Sequence, residues 1–112
     1  MCDWLPADIV AEQVAIAHSW EVDHSRHVYF IGKLDRGPIK IGFAKNLTRR
    51  LWMLQRETGA DVRVLAKRPG GRDLEGAYHL QFETARIGLE WFARTPEIEA
   101  EIKRLTISEI EA

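Results

Sequence analysis

The sequence predicts a single α/β (α+β) domain: a small three-stranded antiparallel sheet flanked by helices. Three observations predict it. The chain has 112 residues, the length of one domain. Short alternating runs with strand character lie in its middle, around a turn cluster at Asp35-Arg36-Gly37-Pro38. Segments with three- and four-residue apolar spacing lie before, between and after those runs.

The first element is an N-terminal helix over about 6–20. Ile9, Val10, Gln13, Val14, Ala17 and Trp20 share one face, and Pro6 suits a first helical turn. Residues 1–26 are read as a helical extension and 27–112 as the main domain. A hairpin follows, with strands over 27–34 and 39–43. Alternation puts Val28 and Phe30 on one face of the first strand and Tyr29 and Ile31 on the other. In the second strand Ile39, Ile41 and Phe43 share a face and Lys40 lies opposite. Gly42 supplies backbone room.

Asn46 is a good N-cap and Gly59 a good stop for a helix over about 46–58. Its apolar stripe is Leu47, Leu51 and Leu54. Arg50 lies at the stripe's edge and can reach the sheet, whereas Arg49 and Arg56 fall on the far side. A third strand is expected over 61–66, then a basic loop over 67–72. Asp73 caps a helix over about 74–85 with Leu74, Ala77, Tyr78, Gln81 and Ala85 inward and Glu75, His79 and Phe82 on a flank. Leu89 to Phe92 is a packed segment. Thr95 and Pro96 start a last helix over about 96–111.

Charge is distributed unevenly. The formal net charge is -1, yet residues 1–25 carry -5, residues 26–72 carry +9 and residues 73–112 carry -5. The average argues against nucleic acid, but the basic middle permits an anionic partner. Cys2 is the only cysteine, so no internal disulfide forms. The N-terminus lacks a signal-peptide pattern and no run has the length of a membrane span, so the expected location is cytoplasmic.

His27-Val28-Tyr29, Lys40-Ile41-Gly42, Ala44-Lys45-Asn46-Leu47 with Arg50, and Glu75-x-x-x-His79 followed by Glu90-Trp91-Phe92 occur in that order. In order and placement they resemble the GIY-YIG nuclease superfamily, in a small phage-type branch with IKIG in place of the second motif. The resemblance covers 27 to about 100. It implies a DNA endonuclease with Tyr29 as general base, Arg50 on the phosphate and Glu75 on Mg²⁺ or Mn²⁺. His27 stands where the superfamily has glycine, and Lys40 where it has tyrosine. A lysine there activates water or binds phosphate. His79, one helical turn beyond Glu75, is a second metal ligand, a proton carrier or a hydrogen-bond partner.

The residue chemistry runs parallel. Phosphodiester hydrolysis needs a base for water, positive charge for the developing oxyanion and commonly a metal. A phenol with its usual pKa near 10 needs positive charge nearby to act as a base. Arg50 can hold a phosphate by two parallel hydrogen bonds, and one or two carboxylates suffice for Mg²⁺. Lys45, Arg49, Lys67, Arg68 and Arg72 are the expected DNA-backbone contacts. Specificity would come from loops, a homodimer or a partner protein. The alternative is a non-catalytic nucleic-acid-binding module on the same scaffold, a reading the Lys40 replacement favours.

Overall fold

The computed structural model describes residues 26–111, and side chains through residue 107. The expected helix over 6–20, and with it the N-terminal extension, lies outside the described residues.

The hairpin forms as expected. β1 (His27–Gly32) and β2 (Ile39–Ala44) pair antiparallel, with Tyr29 opposite Gly42 and Ile31 opposite Lys40. Arg94 ties down the connecting turn, donating to the carbonyls of Lys33, Arg36 (2.9 Å) and Gly37 (3.0 Å). α1 (Leu47–Thr58) follows. The Asn46 side chain accepts from the Arg49 N–H at 3.0 Å, and Gly59 ends the helix at φ 64°, a left-handed geometry that costs glycine little.

The sheet has four strands, not three, in the order β3-β1-β2-β4. β3 runs over Arg63–Pro69, two residues later than expected at its start and three at its end. Lys67 and Arg68 therefore belong to a strand rather than to a loop. As the edge partner of β1, this strand accepts charges and a terminal proline that a central strand would reject. β4 is only Trp91–Phe92, paired with Lys40 and Ile39. Two residues carry no alternation to read, and their strand character comes from the pairing alone.

α2 (Arg72–Gln81) starts and ends earlier than expected, and Glu83–Ala85 forms a separate 3-10 turn. Gly71, not Asp73, occupies its N-cap. Phe82 lies past the helix end, so it escapes the helical period that placed it on a flank. It is buried, its ring stacked on Tyr78 at 6.2 Å. α3 (Pro96–Glu111) closes the chain as predicted.

Both faces of the sheet are covered, and strand alternation decides which side chain goes where. Val28, Phe30, Ile39, Ile41 and Ala66 pack with Tyr78, Phe82, Phe92, Ile98 and Leu105 on one side. Tyr29 and Ile31 pack with Leu54 and Val62 on the other, beneath α1. The larger core includes one buried carboxylate, Glu101. It accepts from the Tyr78 hydroxyl at 2.6 Å and from Arg104 at 2.8 and 2.6 Å. Arg68 in turn donates to the Tyr78 oxygen at 3.0 Å. Burial, with Glu101 alongside, pushes the Tyr78 hydroxyl far above its usual pKa, so it remains a donor.

Candidate active site

The register of the hairpin builds the floor of the site. Tyr29, Lys40 and Gly42 project to the α1 side, since residues two apart and cross-strand partners share a face. Tyr29 is fully buried. Its neighbour across the ladder has to be glycine: a Cβ on Gly42 would stand 2.5 Å from the Tyr29 hydroxyl oxygen and 3.2 Å from Oε1 of Glu90. Two side-chain oxygens thus crowd one point, where Gly42 has no side chain.

Arg50 arrives from α1, as its place at the edge of the leucine stripe predicts. Its Nη1 donates to the Tyr29 hydroxyl at 3.4 Å, a long hydrogen bond that leaves most of the guanidinium's donor capacity for another acceptor. Lys40 Nζ lies 3.0 Å from Oε1 of Glu90 and 5.5 Å from the centre of the Trp91 ring. Glu90 was not among the residues expected at the site. Its signal in the sequence was a lone carboxylate inside the apolar run Leu89-Glu90-Trp91-Phe92. Its backbone is held by β2, whose Ile41 N–H donates to the Glu90 carbonyl at 3.0 Å.

α2 contributes Glu75 and His79. His79 Nε2 donates to the Ile41 carbonyl at 2.8 Å, and the ring packs on Phe92 with centroids 5.1 Å apart. The carbonyl can only accept, so the neutral ring carries its proton on Nε2 and its lone pair on Nδ1. His79 thus fastens α2 to the strand that carries Lys40 and Gly42.

Burial pushes the Tyr29 hydroxyl above its usual pKa. Arg50 pulls it back by charge and by hydrogen bond, while Glu90 and Glu75 add to the rise. Burial likewise raises Glu75, with Glu90 adding to it and His79, Arg72 and Lys40 opposing. The protonated form of Glu75 is therefore favoured in the fold. The stability linked to its proton is present below the ordinary value of 4.5 and lost as pH rises through the raised one. At neutral pH its charge is a net cost to folding. Glu75→Gln should raise the melting temperature in metal-free buffer at pH 7, with the gain shrinking as pH falls below 4.5. Thermal melts at the two pH values check this, and an equal gain at both would show that charge is not the cause.

Among the described residues, no group of three or more His, Cys, Asp and Glu side chains is arranged to hold a metal ion. The donor set still fits Mg²⁺, which takes one or two carboxylates and completes its shell with water and substrate phosphate. Glu75, raised by burial and by a second carboxylate, gains from a cation beside it.

The expected backbone contacts divide. Lys67 is exposed and pairs with Tyr29, so it shares the face of the site. Arg68 pairs with Val28 and turns to the opposite face, where it meets Tyr78. Lys45, Arg49 and Arg72 are exposed, and Arg72 is close enough to act on Glu75.

A family model for the T5orf172 domain matches residues 26–108, from the start of β1 through most of α3. The chain belongs to the T5orf172 domain family. The boundaries of this T5orf172 domain enclose every residue of the site. No model of the GIY-YIG family itself matches; the family shown is the T5orf172 domain, a phage-associated domain of the GIY-YIG- and HNH-like nuclease-related set. Comparison with curated proteins and with solved structures returns no match. Among the described residues, no helix is long and apolar enough to cross a membrane.

Proposed function

We propose that this T5orf172 domain is a metal-dependent DNA endonuclease that hydrolyses a phosphodiester bond at the Tyr29–Arg50–Lys40 site. One observation carries the reading. Arg50 from α1 meets the buried Tyr29 phenol, Lys40 from β2 meets Glu90, the phenol and Glu90 close together on Gly42, and Glu75 is near enough to act on Tyr29. Such a mixture matches the demands of phosphodiester hydrolysis: fixed positive charge for the oxyanion, a proton acceptor for water and hard oxygen for a metal.

Arg50 binds the phosphate, using the donors that Tyr29 leaves unused. Lys40 adds a point charge beside it. The buried Tyr29 hydroxyl accepts from Arg50 and helps to hold its guanidinium in place. His79 keeps α2, and so Glu75, in register with β2. Glu75 would hold Mg²⁺ or Mn²⁺, which supplies Lewis-acid charge at the phosphate. Lys67, Lys45, Arg49 and Arg72 steer the DNA backbone toward the same face.

A nicking assay on supercoiled plasmid with Mg²⁺ or Mn²⁺ tests the proposal. Arg50→Ala should cut the rate by roughly 10²–10³-fold, the effect of removing one donor to the developing charge. Glu75→Ala should lose activity that chelator also removes. Nicking that survives both substitutions would be contamination and would sink the reading. The Lys40–Glu90 ion pair favours a second reading, a module that binds nucleic acid without cutting it. Salt-sensitive DNA binding with no nicking under any metal would select that one.

A further inference from the structure

We propose that Glu90 is the general base of this site, taking the proton of the attacking water, and that Tyr29 is not. The assignment rests on the endonuclease reading above.

Four other side chains at the site are in turn less suited to the task. Tyr29 has no exposed surface, and its oxygen already accepts from Arg50. Burial and two nearby carboxylates favour its neutral form, so near pH 7 it offers a proton rather than takes one. Lys40 is held between the Glu90 carboxylate and the Trp91 ring, both partners of a cation, and an ammonium has no lone pair. His79 is anchored by its Nε2–H to the Ile41 carbonyl and by its ring on Phe92, and it acts on Glu75, on the metal side of the site. Glu75 is the carboxylate assigned to the metal.

Glu90 has the position, the access and the anchoring. Oε1 and the Tyr29 hydroxyl both close on Gly42, 3.2 and 2.5 Å from where a Cβ would stand, so the carboxylate lies beside the phenol that meets Arg50. The Glu90 side chain is 36% exposed, so water reaches it, whereas the phenol is closed off. A carboxylate has about four acceptor positions, and the ion pair with Lys40 leaves room for a water. The Ile41 N–H to Glu90 carbonyl bond fixes the backbone from which the side chain projects. The charged and titratable groups facing it are Lys40 on β2, Tyr29 on β1 and Glu75 on α2, with Arg50 of α1 behind the phenol.

The step balances as a simple hydrolysis. Glu90 takes a proton from water as the water oxygen bonds to phosphorus. The bond from phosphorus to the leaving sugar oxygen breaks with its electron pair on that oxygen, which is protonated by solvent. Glu90 then returns its proton to solvent.

The test compares Glu90→Gln, Glu90→Asp, Tyr29→Phe and Lys40→Met in the plasmid-nicking assay across pH, with saturating Mg²⁺ and each variant's fold checked by thermal melting. Glu90→Gln should slow nicking roughly 10²–10⁴-fold and abolish the fall in rate on the acid side. Glu90→Asp, which keeps the carboxylate, should recover part of the rate and the acid limb. Tyr29→Phe should lose no more than about tenfold, the worth of one hydrogen bond, and keep the limb. Lys40→Met breaks the same ion pair as Glu90→Gln and should still show the limb. The assignment is overturned if Tyr29→Phe abolishes nicking while Glu90→Gln does not. It is also overturned if raised Mg²⁺ or Mn²⁺ restores Glu90→Gln, which would make Glu90 a metal ligand. A wild-type protein that nicks nothing overturns the endonuclease reading and this assignment together; nicking with an indifferent Glu90→Gln overturns this assignment alone.

Discussion

Phe92→Ala should lower the folding free energy by about 3–5 kcal/mol, the range for deleting a buried aromatic ring. Phe92 is fully buried and sits in the two-residue strand β4, opposite Ile39. Its ring supports His79 at 5.1 Å, and the Arg86 guanidinium lies 5.3 Å from its centroid on the far segment of the 86–92 turn. Deleting the ring opens a cavity and also removes the surface on which His79 rests, two residues from Glu90. The effect should therefore appear twice: in a urea denaturation curve, and in weaker nicking at temperatures where the variant is still folded. Phe92→Leu fills most of the space and should recover most of both. A loss below about 1 kcal/mol for the alanine variant would mean that the site collapses freely around the gap, contrary to the packing described.

Gly42→Ala should damage the site more than the fold. A Cβ placed 2.5 Å from the Tyr29 hydroxyl oxygen and 2.7 Å from the ring carbon bearing it cannot be accommodated without movement. Tyr29 has little freedom, because its ring lies in the core beneath α1. Overpacking of this kind costs about 1–3 kcal/mol. The displaced phenol disturbs its bond to Arg50, and the 3.2 Å approach to Glu90 tightens as well. A shift of about 1 Å in such a constellation costs about a hundredfold in rate. The expected result is a folded protein with a modestly lowered melting temperature and nicking reduced about a hundredfold. Wild-type nicking by Gly42→Ala would show that the close approach of Tyr29 and Glu90 does not serve the chemistry.

Local signals made much of the domain legible. Alternation in 27–32 and 39–43 by itself sorts Phe30 from Tyr29 and Ile41 from Lys40, because a strand offers only two faces. Asn46 and Gly59 mark the ends of α1 because each has a side-chain or backbone property that a helix terminus needs. The leucine stripe then places Arg50 where it meets Tyr29. Elements defined by a partner distant in the chain are not legible in the same way. β4 exists because two residues found β2, and Lys67 and Arg68 are strand residues because β1 pairs with them. Phe82 leaves its expected flank because α2 ends at Gln81.

The candidate site divides along the same line. Tyr29, Lys40, Arg50, Glu75 and His79 can each be named from residue type and from position within one strand or helix, since short-range periodicity governs where a side chain points. Glu90 cannot, because what distinguishes it is its distance to Lys40 and its approach to Gly42, set by packing between segments about fifty residues apart in the chain. The same holds for the separation of Lys67 from Arg68. Adjacent in sequence and alike in charge, they read as one basic cluster, yet pairing with β1 sends one to the face of Tyr29 and the other to Tyr78. Periodicity along the chain assigns faces; contacts between distant segments assign neighbours, and the chemistry depends on the neighbours.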